Sequence, residues 1–595
     1  MWARTSNALA TARKHRASAF AGLSGAILCA IMLAGCAAQR EPGPRAAASV
    51  TVKVIAFNDF HGNLEVPGRP VEVQAPDGST VRVPAGGAAY LATAVKRLKA
   101  QVAHSIVVAA GDLTSASPLI SSLFLDEPTV TAMNMIGLEI NAAGNHEFDR
   151  GAAELLRLQH GGCAKLTKRE PCQIERFSGA AYRYLAGNML RADGSSLLPG
   201  ATIKQFGAIR VGFIGLTTRM TGSYVDPAGI RGYRFADEAE TANRLVPQLK
   251  AQGADAIVVL IHEGGDPARS DQPERCEGLS GPILDIVERL DPAVDLVVSG
   301  HTHRAYICDV ARAGGSSVLL TSAGNYGAFV TDITLTFDPA TRKLTGKRAQ
   351  QMVVQGEGNS SAAGPVRPAA AFPVLPADPA VAAYVARYAA AAGPRAGRMV
   401  GRVSAPILRD EDRGLRESPL GLLIADAQLA ATRKDGAQIS LMNPGGVRAS
   451  ITPAADGSVT FGDLYAVQPF GNNLQVREFS GAQLRAVLEQ QFSNASGPKL
   501  LFAAGLTYRF DRSRPAGQRV IAPMVAGRPL RDEALYRVAV SDFLGNGDDG
   551  FSTLAAGRVV AGGVLDLDAL EAWFSRGLVV DPPALGRVTD ITPTK

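Results

Sequence analysis

The stretch LEINAAGNHEFD, residues 138–149, is where the architecture of the chain becomes readable. Leu138 to Ala143 is short, apolar and β-prone, the pattern of a buried strand. The run stops at Gly144. The next five residues hold a carboxamide, an imidazole and two carboxylates, on Asn145, His146, Glu147 and Asp149. An amide oxygen can ligate a metal ion. A neighbouring imidazole can donate to a developing oxyanion, and a carboxylate three residues on can orient that imidazole. Taken alone the cluster has plainer readings, such as Asp149 N-capping the helix that GAAELLRLQ predicts.

Four other strand ends in the same half of the chain give the cluster its weight. VTVKVIAFND ends in Asn58, Asp59 and His61. SIVVAAGD ends in Asp112. DAIVVLIHEG carries His262, and DLVVSGHTH carries His301 and His303. Between them lie helical patterns: AAYLATAVKRLKAQ, EPTVTAMNMIG, DEAETANRLVPQLKAQG and GPILDIVERL. EVQAPDGSTVRVPAGG reads as a hairpin turning at Asp77 and Gly78. VLLTSAGNYG and FVTDITLTFD add strands before the pattern ends near Val354. Alternating strands and helices predict a layered α/β domain. In such sheets ligands bind beyond the carboxyl ends of the strands, so five distant segments can converge on one rim. The donors are Asp, Asn and His, with no Cys. That favours Zn, Mn, Co or Fe over a thiolate site, and His argues against Mg or Ca alone. Seven donors exceed what one tetrahedral ion uses and imply two ions.

DFHGN, GD, GNHEFD, HEG and GHTH, in this order, resemble the calcineurin-like metallophosphoesterases. The resemblance implies that Asp59, His61, Asp112 and His303 hold one ion. It assigns Asp112, Asn145, His262 and His301 to the other, with Asp112 bridging. It implies attack by a metal-bound water, with His146 stabilising the phosphoryl oxygens and Asp149 orienting His146. Glu147, Glu263 and His104 are expected to be structural or solvent-facing.

The rest of the chain names a substrate. QGEGNSSAAGPVRPAAAFPVLP, residues 355–376, reads as a linker or surface loop, and DPAVAAYVARYAAAAG as a helix bridging two domains. Beyond Arg395 the pattern is mixed α+β: helix LGLLIADAQLAATR, strand AQISLMN, helix SGAQLRAVLEQQF, strands around GLTYRF and YRVAVSDF. NPGGVR from Asn443, PFGNN from Pro469 and DFLGNGDDGF from Asp542 resemble the 5′-nucleotidase C-terminal domain. That resemblance makes Phe470 and Phe543 an aromatic clamp for a base. It makes Arg448 a phosphate- or carboxylate-reading arginine, Asn443 a base-contacting amide and Asp549 a ribose-contacting carboxylate. Arg413 and Arg416 are candidates for a further substrate arginine. Gly547-Asp548-Asp549-Gly550 departs from the family's Gly-Gly-Asp-Gly by one carboxylate. The expected fold is therefore α/β: a four-layer α/β/β/α metallophosphoesterase domain joined by a linker helix to a smaller α+β domain. The expected boundaries are 50–354 for the catalytic part, 355–394 for the link and 395–595 for the substrate part. The expected activity is release of phosphate from nucleoside 5′-monophosphates, extending to di- and triphosphates or UDP-sugars. Alternatives are a 2′,3′-cyclic nucleotide phosphodiesterase/3′-nucleotidase and a catalytically dead nucleotide-binding surface lipoprotein. The resemblance also implies a rotation of one domain on the other.

Bulk properties fit this reading. A length of 595 residues with 46% hydrophobic and 19% charged content supports several folded domains. Arg4, Arg13, Lys14 and Arg16 precede an apolar run from Ala17 to Leu33, the pattern of a targeting leader over 1–35. Leu33-Ala34-Gly35-Cys36 resembles the lipobox of bacterial lipoproteins, which implies acylation of Cys36 and a tether over 36–49. Ala37 after the cysteine favours the outer membrane of a Gram-negative bacterium, facing the periplasm. Loss of the leader's four basic residues takes the net charge from +6 to +2, and no Lys/Arg run argues for a nucleic acid polymer. The protein is expected to be a monomer. Cys163, Cys172, Cys276 and Cys308 remain, an even number that suggests two disulfides in an exported chain. Cys163 with Cys172 and Cys276 with Cys308 are candidate pairs.

Overall fold

A computed structural model describes residues 49–593, apart from residues 69, 168, 226–227, 313–314, 362–363, 410–415 and 493–497. Cys36, the leader and Arg413 lie outside the described residues. Two six-stranded sheets form the centre of the N-terminal half. The first runs in the order Leu344–Val353, Phe329–Phe337, Val50–Phe57, Ser105–Ala109, Ile140–Ala142, Arg183–Leu185. The second runs Ala305–Ala311, Ser317–Ala323, Leu296–Ser299, Ala256–His262, Ile209–Thr217, Ala201–Phe206. In each sheet the central strands are parallel; antiparallel strands stand at one edge of the first sheet, whose other edge strand is parallel, and at both edges of the second.

The central strands are apolar on both faces because both faces are covered. Val52, Val54 and Ala56 meet Val211, Phe213 and Val258 in a core between the sheets. Ile55, Phe57 and Val107 point the other way, into a core with the helices Ala88–Lys99 and Glu127–Ile136. On the far side, Ile257, Val259 and Ile261 pack on the helices Glu238–Ala251 and Pro282–Arg289. The layers are thus α/β/β/α: the alternating pattern predicts the layered α/β domain, and the family resemblance implies its four layers. The hairpin at Asp77-Gly78 is present, pairing Val71–Gln74 with Thr80–Val83.

The described residues of 355–376 are held in place by burial and hydrogen bonds. Gln355 and Leu375 are fully buried, and Gln355 Nε2 donates to Ala369 and Phe372 carbonyls. The helix Pro379–Ala396 follows, N-capped by Asp378, which accepts from Val381 N and pairs with Lys96. It buries Val381, Val385, Tyr388 and Ala392 against the N-terminal helical core, and its last turn sets Arg395 over the Phe461 ring. The C-terminal half holds five-, four- and three-stranded sheets with helices Pro419–Thr432, Gly481–Gln490 and Asp566–Phe574.

Cys163 and Cys172 form a disulfide. The second expected pair is corrected: Cys276 and Cys308 are free thiols. Both belong to one apolar layer, and burial followed by the neighbouring Cys276 thiol pushes Cys308 up, which keeps it protonated.

Candidate active site

The seven expected ligands stand at five strand ends and converge on one rim. Val50–Phe57 delivers Asp59 and His61, Ser105–Ala109 delivers Asp112, and Ile140–Ala142 delivers Asn145. His262 is the last residue of Ala256–His262, and His301 and His303 follow Leu296–Ser299. The loops are laced together by backbone hydrogen bonds: Asp59 N to Gly111 O, His61 N to Asp112 O, and Tyr326 N to Asp59 O. Five of the seven take the left-handed backbone that side chains avoid: Asp59, His61, Asp112, His301 and His303 have φ between 46° and 73°. Such strain persists where surrounding structure over-determines it.

The donors fall into two groups, Asp59 with His61 and His303, and Asp112 with His262 and His301. Asp112 Oδ2 lies 3.0 Å from His262 Nε2 and 3.6 Å from His61 Nε2, so it faces both groups. His303 Nε2 lies 3.3 Å from Asp59 Oδ1 and 3.1 Å from His61 Nε2. Second partners fix the rings: His61 Nδ1 donates to Ser115 O, His262 Nδ1 donates to Ala110 O, and His303 Nδ1 meets the Asn325 carboxamide at 3.1 Å. With Nδ1 so engaged, Nε2 of His61 and of His262 is the nitrogen that faces inward. Among the described residues, none makes a hydrogen bond to the buried oxygens Asp59 Oδ1 and Asn145 Oδ1. Buried polar atoms are otherwise nearly always satisfied, so this donor set fits divalent cations.

The electrostatics are those of a packed ligand cluster. Burial pushes Asp59 up and His61 well down. Burial and the His262 charge take His301 down to about 3. At His262 burial is outweighed by Asp112, which pushes it up to about 10. Beside the ligands, His146 Nδ1 donates to Asp149 Oδ2 at 2.8 Å. Burial works against charge on His146, but Asp149 and then Asp112 raise it above its ordinary value. Asp149 therefore contacts the imidazole and caps no helix; the following helix, Ala152–His160, starts from Gly151.

Glu147 is buried and structural. Its carboxylate accepts from Asp112 N, Leu113 N, Thr114 N and Gly144 N, tying the Asp112 loop to the Asn145 loop. Glu263 is likewise internal, accepting from Thr218 Oγ1 and Gly264 N. His104 is half-buried, edge-on to Phe206.

The C-terminal half closes over the same cavity. Asn443, Arg448, Phe470, Phe543 and Asp549 line it together with Asp112, Asn145, His146, His301 and His303. Phe470 stacks on the His146 ring at 5.7 Å and 16°, with the Arg448 guanidinium 5.8 Å from Phe470. Asn443 Nδ2 donates to Asp549 Oδ2 at 2.9 Å. Arg416 is a correction: it is exposed and is not among the residues that line the cavity. Next to it, Glu417 accepts from Gly586 N and Val588 N, which draws this segment toward the C-terminal strand. Arg409 lines the cavity instead, donating to the Val447 and Arg448 carbonyls. Arg409 sits in no motif; its nearness to Arg448 follows from the bridge of Ile407 to Ile451.

Residues 52–305 match the calcineurin-like phosphoesterase model, and residues 399–556 match the 5′-nucleotidase C-terminal domain. The cell wall protein Lmo0130 of Listeria monocytogenes is 31% identical over 91% of this chain and 68% of its own length. The chain belongs to the calcineurin-like phosphoesterases that carry a 5′-nucleotidase C-terminal domain. Members of this phosphoesterase family use two divalent metals, and this chain presents two ligand groups for them. A 5′-nucleotidase precursor of Thermus thermophilus superposes with a TM-score of 0.73 at 28% identity, over 92% of this chain and all of that one. The endonuclease YhcR of Bacillus subtilis is 30% identical over 85% of this chain, which spans 38% of that longer protein.

Proposed function

We propose that this phosphoesterase is an exported 5′-nucleotidase that releases phosphate from nucleoside 5′-monophosphates. The observation that carries the reading is the meeting of members of both metal-ligand groups, His303 of one and Asp112 and His301 of the other, with Asn443, Arg448, Phe470, Phe543 and Asp549 in one cavity. Residues 50–354 supply the chemistry, 395–595 supply the substrate contacts, and 355–394 tie them together.

In this reading Asp59, His61, Asp112 and His303 hold one ion, and Asp112, Asn145, His262 and His301 the second. When bound, such a pair supplies Lewis acidity to the phosphoryl group and lowers the pKa of water. The identities that fit are Zn, Mn, Co or Fe. His146, raised toward its charged form by Asp149, donates from its outward nitrogen to the phosphoryl oxygens as negative charge grows there. Arg448 and Arg409 face the phosphate, where the rigid guanidinium fork suits paired oxygens. Phe470 and Phe543 stack the base, Asn443 contacts its edge, and Asp549 accepts from ribose hydroxyls.

Among the described residues no helix is long and apolar enough to cross a membrane. The leader and Cys36 support export and lipid anchoring, with the enzyme facing the periplasm from the outer membrane as a monomer. The role of His146 is tested by His146→Ala. Turnover of AMP should fall roughly 10²–10⁴-fold, while elemental analysis still finds two metal ions per chain. Loss of metal would make His146 a ligand and overturn its assignment.

A further inference from the structure

We propose that Lys499 is a specificity-determining residue, the cation that receives the additional phosphate of nucleoside diphosphates, triphosphates and nucleotide-linked sugars. The inference rests on the nucleotide-hydrolase reading above. Lys499 belongs to none of the motifs read from the sequence. Its ammonium ion-pairs with Asp549 and lies 5.7 Å from the centroid of the Tyr224 ring. Asp549 is held at φ 57° and receives Asn443 on its other oxygen, so both carboxylate oxygens are engaged. Tyr224 comes from the other half of the chain and stacks on His301 at 5.6 Å and 26°. All of these side chains line the same cavity.

Lys499 therefore stands between the carboxylate assigned to ribose and the tyrosine beside a metal ligand. A nucleotide with its terminal phosphoryl group at the ligands and its sugar at Asp549 must lay whatever lies between them past this ammonium. In a monophosphate nothing ionic lies between. In a diphosphate a second phosphate does, and it competes with Asp549 for the cation. A lysine suits the exchange: it is a compact charge on a flexible stem. Its side chain is 21% exposed, reachable from the cavity yet confined. Asp549, keeping Asn443, then offers its released oxygen to a ribose hydroxyl. The cavity, about 1510 Å³, exceeds the usual range of roughly 300–1,000 Å³ for small-molecule sites and leaves room for a longer chain.

The experiment compares the metal-loaded wild type with Lys499→Gln and Lys499→Arg on AMP, ADP and UDP-glucose. In Lys499→Gln the ratio of kcat/KM for ADP to that for AMP should fall roughly tenfold, the weight of one charged hydrogen bond. Calorimetric affinity for α,β-methylene-ADP should fall in step, and Lys499→Arg should retain both. Should Lys499→Gln fail to fold, Lys499→Ala is the second charge-removing variant for the same ratio. An unchanged ratio, with AMP and ADP losing equally, overturns the proposal, leaves the nucleotidase reading standing and reduces Lys499 to neutralising Asp549. A wild type that cleaves p-nitrophenyl phosphate but no nucleotide overturns the nucleotidase reading, and this proposal with it.

Discussion

At Gly144 an added β-carbon would lie 2.2 Å from Asp112 Oδ1, and at Gly111, with φ at 89°, it would lie 2.6 Å from His262 Nδ1. These two glycines let neighbouring ligand loops approach each other without a side chain between. Glu147 completes the arrangement from beneath, accepting four backbone N–H groups from both loops. Burial and then the Asp112 carboxylate push Glu147 up to about 7, against those donors. Glu147→Ala should leave the donors buried and unsatisfied, at about 1–3 kcal/mol for each group stranded. We expect a lower melting temperature and weaker metal retention on dialysis. A variant as stable as the wild type, with full metal content, would contradict the anchoring role. The candidate ligands were legible because each stands in a contiguous strand-end motif. Glu147 takes the structural one of the two places the sequence leaves open for it; its partners are backbone groups of residues 112–114 and 144, which no side-chain pattern reports. Arg409 and Lys499 escaped for a related reason: each reaches the cavity through tertiary contacts outside any motif.

Among the elements, the helix Asp566–Phe574 begins on an unusual residue. Asp566 is buried, its carboxylate accepts from Leu567 N, and its backbone N–H donates to Asn472 O. Burial, with a further push from Asp542, raises it to about 7. In the unfolded chain the same group titrates near ~3.9. The native state thus holds a proton that the unfolded state has lost between these values, and stability falls as pH rises from about 4 through 7. Asp566→Asn keeps the acceptor for Leu567 N and removes the titration. It should melt close to the wild type at pH 5 and above it at pH 8; a gap independent of pH would show that Asp566 is charged throughout. The order and type of the main elements followed from strand and helix periodicity. The link at 355–376 did not, because its Ala, Pro, Gly and Ser content hides the two residues that bury it, Gln355 and Leu375. Nor did the state of Cys276 and Cys308, since an even cysteine count says nothing about whether two neighbouring thiols are joined.

At the scale of the molecule, the two halves share side chains as well as a cavity. Leu119 packs among Phe461, Leu464 and Tyr465, and Leu123 lies against the same cluster. Arg169, inside the loop closed by Cys163 and Cys172, donates to the Tyr465 hydroxyl at 2.9 Å and to the Ser122 carbonyl. Phe470 against His146 is the contact nearest the chemistry. We propose that Phe470 parts from His146 to admit the nucleotide, the rotation that the family resemblance implies, so turnover should need relative motion of the halves. An engineered disulfide between the Leu119–Ser122 and Phe461–Val467 helices should abolish turnover when oxidised and restore it when reduced; equal rates in both states would contradict the motion. The central claim is that two metal groups and a nucleotide clamp form one active site. The measurement that tests it most directly is phosphate release from AMP, UMP, ADP, ATP, UDP-glucose and 2′,3′-cyclic AMP, with Mn or Zn supplied and after chelation. The account predicts metal-dependent release from the 5′-monophosphates, lost on chelation and restored by either metal. Cleavage of a generic phosphoester with no release from any nucleotide would contradict it.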